Sequence, residues 1–264
     1  MTEFVELVRL QPAGGDAFLA PMPPEGAGPQ VFGGQLLAQA LVAGMRTVDP
    51  DRRPLSVQAH FVRRAAMGVD VQIGVERVRD GRTFTERTVR VAQGGRDLVV
   101  VMATFHVEET GGLEHAVPLA DDAGAPPPDG SVSSPTGLPG WEAFEACRLP
   151  DAPARPPLGP RLRFWVRARH PLPPDPGIHA AALLFVSDMF VGDASRLAAD
   201  ERSGSMTTLD HAVWFHHEPR ADDWMFCDVA SAGASGGRGL VLGTFHDRDG
   251  RHLATLAQGT LHRS

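Results

Sequence analysis

The chain has 264 residues, enough for one large domain or for two small ones that contribute to a shared core. Its formal charge of -7 is mild, with no basic run and no stretch of about 18 apolar residues, so neither a nucleic-acid partner nor membrane insertion is expected. The only cysteines, Cys147 and Cys227, are too few for a disulfide framework or a zinc site, which predicts a cytoplasmic protein.

The first predicted element is a helix over residues 31–48. This segment, which includes GGQLLAQALVAGMRTV, opens on a glycine pair and is apolar on nearly every side, so a sheet has to enclose it. Alternating or β-branched runs predict four strands, at residues 55–62, 69–78, 83–91 and 98–107. Turn signals at Asp80-Gly81 and Gly94-Gly95 separate them, which indicates an antiparallel meander after the helix.

The next segment, residues 108–176, is rich in Pro, Gly, Ala and Asp, which is typical of a connection. Aromatic residues such as Trp141 and Phe144 give it something to bury, so part of it is expected to be ordered. We divide the chain into a first unit at 1–110, a connection at 111–160 and a second unit at 161–264.

The second unit repeats the first. A helix is predicted over residues 178–190, followed by strands at 207–216, 224–232, 239–247 and 252–262. Residues 82–106 are echoed 156 positions later, where Gly94, Thr104 and His106 fall on a second Gly, Thr and His. The chain is therefore a duplication, and its predicted fold class is α+β, with two tandem helix-plus-antiparallel-sheet units sharing one continuous curved sheet.

Asp188 interrupts the apolar run AALLFVSDMFV of the second helix. An ionised carboxylate is costly to bury unless it is paired or receives strong hydrogen bonds, so its presence there suggests a functional partner. A solvent-facing acid at the end of the helix is the alternative, and for a lone Asp it is the commoner case.

Two further polar residues lie on predicted strands. Thr208 is two residues before Asp210, so both are expected on one face of the strand with His211 on the other, although a strand threonine is often only a good β-former. Gln258 shares a face with Thr260, and its amide suits the holding of a water. A glutamine that reaches solvent at a sheet edge is an equally good interpretation.

The first copy carries no equivalent set. Offsets of 154 to 156 place Pro54 opposite Thr208 and Met102 opposite Gln258, and the first helix contains no acidic residue. Only the second half is therefore predicted to run acid–base chemistry, in one active site. A carboxylate can take a proton from a water that a hydroxyl and an amide hold in position.

Three stretches resemble the acyl-CoA thioesterase II family: VFGGQLLAQAL at 31–41, RDGRTFTERTVRVAQGGRDLVVVMATF at 79–105, and TLDHAVWFHH at 208–217, with Gln258 downstream. The resemblance implies a double hotdog fold, the hydrolysis of fatty acyl-CoA to free acid and CoA, a role in fatty acid metabolism and a homodimer. It places the family's water-activating residues on Asp188, Thr208 and Gln258. No cofactor or metal is expected.

The resemblance leaves substrate contacts and alternatives open. Arg63, Arg64 and Arg238 are candidate contacts for the CoA phosphates. The expected mechanism is direct attack by water, since Ser/His/Asp spacing and a Gly-x-Ser-x-Gly elbow are absent from the sequence. The alternatives are a non-catalytic acyl-CoA-binding protein and an enoyl-CoA hydratase, which would need an Asp/His pair near a helix start.

Overall fold

The computed structural model describes residues 3–109, 111–132, 134–135, 137–199 and 204–263. Their helices are α1 (Phe4–Leu7), α2 (Gly33–Met45), α3 (Pro176–Val186) and α4 (Asp193–Ala199), with a short 3-10 turn at Trp141–Ala143. Their strands are β1 (Gln11–Gly14), β2 (Ala17–Ala20), β3 (Arg52–Phe61), β4 (Val71–Asp80), β5 (Phe84–Gln93), β6 (Arg96–Val107), β7 (Phe144–Arg148), β8 (Arg161–Ala168), β9 (Ser205–Phe215), β10 (Met225–Ser235), β11 (Arg238–Asp247) and β12 (His252–Arg263).

All of these strands form one antiparallel sheet in the order β1-β2-β4-β5-β6-β3-β9-β12-β11-β10-β8-β7. The two halves of this order are mirror images, so β9 to β12 repeat β3 to β6, and β7 and β8 take the places of β1 and β2. The halves join where β3 pairs with β9, with Val57 opposite Val213. The continuous sheet that the duplication predicts is present, and β7 lies inside the segment interpreted as a connection.

The two long helices lie antiparallel against each other, and both are buried. The start of α2 meets the end of α3 so closely that a Cβ on Gly34 would stand 2.4 Å from the Phe185 carbonyl oxygen. Apolar side chains from both helices and from the facing strands form one core. No helix in the described ranges is long and apolar enough to cross a membrane.

The second helix ends earlier than the predicted residue 190. It stops at Val186, Ser187 Oγ lies 2.7 Å from the Leu184 carbonyl oxygen, and Phe190 takes a left-handed backbone conformation with φ of 62°. Asp188 therefore lies in the turn after α3 and not on the helix. This turn directs the carboxylate toward the start of α2.

A β-bulge changes the faces that were predicted for the strand carrying Thr208. Leu209 has no partner in the pairing of β9 with β12, where Thr208 is opposite Thr260 and Asp210 is opposite Gly259. The extra residue reverses the alternation. Thr208 therefore points inward with His211, while Asp210 is exposed, so the expectation that Thr208 and Asp210 share a face is wrong.

The residue corresponding to Gln258 in the first copy is Ala103, not Met102. Gln258 pairs with His211 two residues after the bulge in β9, and Ala103 pairs with Val57 two residues after the equivalent bulge in β3. Met102 is 52% exposed on the outer face of the sheet, whereas Gln258 is 1% exposed. A position on the opposite face cannot be the structural equivalent of a buried one, so the offset at this point is 155.

Candidate active site

A cavity of about 410 Å³ lies between the start of α2 and the end of α3. Both halves of the chain and the connection between them contribute to its lining. The lining residues include Phe32, Gly33, Phe61, Trp141, Asp188, Phe190 and Thr208. Asp188 and Thr208 come from the second half, whereas Arg63, Arg64 and part of the apolar wall come from the first half. The lining of the cavity is therefore shared between the two halves.

Asp188 and Thr208 line this cavity, and Gln258 lies buried behind Thr208. The Thr208 hydroxyl donates to Asp188 Oδ1 over 3.1 Å, and Gln258 Nε2 donates to Thr208 Oγ1 over 2.9 Å. The bulge in β9 aims Thr208 inward, and β12 carries Gln258 on the same buried side of the sheet. Three residues that are distant in the sequence thus form one hydrogen-bonded group.

The Asp188 carboxyl group lies among apolar walls at the start of α2. Burial raises its pKa to about 7, although hydrogen bonds from the Thr208 hydroxyl, the Gly34 N–H and the Gln258 side chain oppose the rise. A Cβ on Gly33 would stand 2.7 Å from Asp188 Oδ2, so the helix start can approach the carboxylate only because glycine is there. Asp188 is therefore not the solvent-facing acid of the alternative interpretation.

A histidine that was not predicted to contribute lies directly behind the group. His211 Nδ1 is 3.0 Å from Gln258 Oε1, and its Nε2 is 2.7 Å from Ser187 Oγ. Burial lowers the pKa of His211 to about 4, so the ring is neutral at physiological pH. The pattern of the strand offered no signal for this, because it placed His211 on the wrong face.

Three aromatic rings form part of the cavity wall. Trp141 packs edge-on against Phe32 and Phe190, with ring centroids 5.5 and 4.9 Å apart. Trp141 belongs to the 3-10 turn of the connection, so the segment between the two halves helps to build the site. Its aromatic composition indicated burial, but nothing in the sequence indicated where.

The three candidate arginines are not brought together. Arg63 and Arg64 line the cavity, where Arg63 Nη1 donates to the Asp97 carbonyl oxygen (2.9 Å) and Arg64 Nη2 to Thr207 Oγ1 (3.0 Å). Arg238 begins β11 at a hairpin, where its guanidinium would meet a Cβ on Gly236, and it is not part of this lining. Two of the three candidates therefore line the cavity.

Within the described residues, no group of three or more His, Cys, Asp or Glu side chains is arranged to hold a metal ion. The histidines that crowd the end of β9 have other contacts. His216 Nε2 lies 2.9 Å from Thr255 Oγ1, and His217 Nδ1 lies 2.6 Å from the His252 carbonyl oxygen. They link neighbouring parts of the sheet.

Comparison with known families gives the site its context. Residues 21–106 match the family described as acyl-CoA thioesterase N-terminal domain, and residues 114–261 match acyl-CoA thioesterase C-terminal domain. The chain belongs to the acyl-CoA thioesterase family. The family resemblance and the expectation of a thioester hydrolase are thereby confirmed.

Individual members of the family match over most of their length. Acyl-coenzyme A thioesterase 8 of Rattus norvegicus is 33% identical over 261 residues, covering 89% of this chain and 81% of that protein. Acyl-CoA thioesterase 2 of Haemophilus influenzae is 30% identical over 254 residues, covering 89% and 88%.

Solved structures agree with the fold. An acyl-CoA thioesterase II, TesB2, from Mycobacterium marinum superposes with a TM-score of 0.84 at 29% identity, over 98% of each chain. A hot dog fold protein from Alicyclobacillus acidocaldarius, 22% identical, superposes with a TM-score of 0.81. The double hotdog fold expected for this thioesterase is confirmed.

Proposed function

We propose that this thioesterase hydrolyses fatty acyl-CoA to a free fatty acid and CoA. The observation that carries the proposal is the hydrogen-bonded group of Asp188, Thr208 and Gln258, which borders a largely apolar cavity beside the glycine-rich start of a buried helix. The relatives named as acyl-CoA thioesterases support the substrate class. A cytoplasmic location, a homodimer and a role in fatty acid metabolism remain predictions.

The proposed reaction is direct attack by water. Asp188, once ionised, takes a proton from a water that the Thr208 hydroxyl, itself held by Gln258, positions against the thioester carbonyl carbon. The water oxygen bonds to that carbon, the C–S bond breaks, and the proton passes from Asp188 to the departing sulfur. A carboxyl with a pKa near 7 suits both steps, because it accepts and returns a proton at neutral pH.

The thioester oxygen becomes negative during the attack and needs donors. The first N–H groups of a helix have no intrahelical acceptor and carry partial positive charge. At the start of α2 the Gly34 N–H already donates a hydrogen bond to Asp188. We therefore assign the Gly33 N–H as the donor to the thioester oxygen.

The two ends of the substrate suit different parts of the lining. Aromatic walls formed by Phe32, Trp141 and Phe190 fit an acyl chain, since burying apolar surface is favourable. Arg63 and Arg64 are exposed cations at the same cavity and fit the phosphates of CoA.

The test is a panel of acyl-CoA esters of increasing chain length, with CoA release followed by a thiol reagent. Because Cys147 and Cys227 are free thiols, the assay is run with both the wild type and a C147S/C227S variant. We expect hydrolysis that survives the double substitution. Release from no ester would contradict the proposal and would favour a non-catalytic acyl-CoA-binding protein.

Direct attack has its own test. A single turnover with excess enzyme in water enriched in oxygen-18 should put the label in the fatty acid and leave the Asp188 carboxylate unlabelled. Label in Asp188, read by peptide mass spectrometry, would instead indicate a covalent acyl-carboxylate intermediate.

A further inference from the structure

A row of five hydrogen-bonding side chains runs from the cavity into the core. It continues the Asp188–Thr208–Gln258 group through His211, 3.0 Å from Gln258 Oε1, to Ser187, 2.7 Å from His211 Nε2. Gln258, His211 and Ser187 are each no more than 1% exposed. Buried polar groups of this kind are costly unless each one is satisfied, so the direction of every hydrogen bond in the row matters.

The ionised Asp188 fixes the direction of the first two bonds. A carboxylate only accepts, so the single Thr208 proton must point to Asp188. The remaining lone pairs of Thr208 must then receive a proton, which the Gln258 NH2 group supplies. The amide of Gln258 consequently turns its carbonyl oxygen toward His211.

The same reasoning fixes the tautomer of His211. The Gln258 carbonyl oxygen only accepts, so the ring must carry its proton on Nδ1. In a neutral ring Nε2 is then a bare acceptor, and Ser187 has to give its proton to Nε2. Ser187 does so in preference to the Leu184 carbonyl oxygen, which is also 2.7 Å from Oγ.

The opposite tautomer would turn the Thr208 hydroxyl proton away from Asp188. With the proton on Nε2, the bare Nδ1 would need the Gln258 NH2, and the amide would turn its oxygen to Thr208. The Thr208 hydroxyl would then donate to Gln258 and present a lone pair to Asp188, which repels a carboxylate. The state of His211 and the aim of the Thr208 hydroxyl are therefore linked through one amide.

We propose that His211, held by Ser187, is a positioning residue that fixes the orientation of the Gln258 amide and so aims the Thr208 hydroxyl at Asp188. This inference rests on the proposed function. The fold itself does not require a polar pair at this place, because the corresponding partners in the first copy are Val57 and Ala103, both fully buried. The polar pair occurs only behind the proposed active site.

Two substitutions of His211 separate positioning from packing. His211→Leu removes the donor to Gln258 and should lower kcat about 100-fold with KM little changed, since misplaced reacting groups cost about that much. His211→Asn places an amide N–H near the position of Nδ1 and should restore kcat to within about threefold of wild type. The matched control is His246→Leu, a histidine that is also 1% exposed and bonds the Val117 carbonyl oxygen. It should keep wild-type kcat.

The dependence on Gln258 is tested by a double-mutant cycle. If His211 acts through Gln258, His211→Leu should change the residual activity of a Gln258→Leu variant by less than about twofold. Equal losses in both backgrounds would overturn the proposal, as would a His211→Leu enzyme with wild-type kcat. If the wild type hydrolyses no acyl-CoA ester, the proposed function fails instead.

The tautomer can be read on the unmodified protein, which keeps the test valid should the leucine variant fail to fold. Nitrogen-15 NMR of the labelled wild type above pH 8 should show His211 neutral and protonated on Nδ1. Protonation on Nε2 under those conditions would contradict the proposed direction of the row.

Discussion

The antiparallel pair of helices α2 and α3 has two ends related by the duplication, and they are built differently. At the end with the proposed active site, Asp188 lies against the glycine start of α2. At the other end, Met45 lies against Gly177 at the start of α3, where a Cβ would meet Met45 Cε at 2.3 Å. Met45 is Asp188's counterpart, because each lies twelve residues after the first residue of its helix, 45 against 33 and 188 against 176.

The starts of α2 and α3 also differ in whether their first N–H groups are free or capped. Pro176 has no N–H to offer, and the Asp175 carboxylate accepts the Gly177 N–H over 2.8 Å. At α2 the N-cap residue is Phe32, which has no side-chain acceptor, and the helix start faces the cavity. A duplicated scaffold can thus keep a half-buried carboxylate and open donors at one end, while at the other end the helix start is capped and a methionine takes the place of the acid.

The largest difference between the two ends is expected when one acid at each end is neutralised. Asp188→Asn should lower kcat by about 10²- to 10⁴-fold, the range for the loss of a general base. Asp175→Asn should leave kcat unchanged, because asparagine also caps helices and this end has no proposed part in the reaction. Steady-state hydrolysis of one acyl-CoA by both variants measures the contrast, and equal effects would refute it.

The same alanine can be placed at both helix starts. Gly33→Ala should cost about 100-fold in kcat/KM, since its Cβ would stand 2.7 Å from Asp188 Oδ2 and displace the carboxylate. Gly177→Ala meets the flexible end of Met45 and, at 3.2 Å, the capping Asp175 Oδ1, and should remain near wild type in activity because this end has no proposed part in the reaction. A Gly33→Ala enzyme that is as active as Gly177→Ala would show that the close approach is unimportant.

Arginines at the two ends give a smaller contrast. Arg64→Ala should raise KM for acyl-CoA about tenfold with kcat little changed, as expected when a charge-assisted contact to a phosphate is lost. Arg53, which lines the cavity at the other end, is the matched control. An unchanged KM in Arg64→Ala would remove this residue from the CoA contacts.

The smallest expected effect is on stability. The pKa of Asp188 is raised from an ordinary 3.8 to about 7 in the folded protein, so ionising the carboxyl group opposes folding. The stability that the protonated carboxyl group contributes is fully present below pH 3.8 and is lost as the pH rises through 7. Asp188→Asn should therefore melt a few degrees above wild type at pH 8 and show little gain near pH 4. Thermal melts at both values check this, and a gain confined to acid pH would reverse the sign.

Much of the fold was predictable, because segments with a regular apolar pattern between turn residues can be recognised from the sequence. Residues 98–107 were predicted as a strand after the Gly94-Gly95 turn, and β6 spans Arg96–Val107. The short edge strand β1 was not predicted, since all four of its residues are exposed and no alternation marks it. β7 was hidden in a segment whose proline and glycine content indicated only a connection.

The candidate site was predictable in its residue types but not in its geometry. The comparison of the two copies and the family resemblance indicated Asp188, Thr208 and Gln258. The participation of His211 depends on the bulge at Leu209, which arises from pairing between distant strands and leaves no local signal. Trp141 reaches the cavity only because the connection folds back over the helices.

The most direct test of the central claim, that an ionised Asp188 at one end of the helix pair activates the water, is the pH dependence of kcat/KM. The wild type should gain about tenfold per pH unit below the pKa of Asp188 and level off above about pH 7, as ionisation is completed. The residual activity of Asp188→Asn should lack this rise. A flat wild-type profile between about pH 5 and 9, or the same rise in the variant, would contradict the claim.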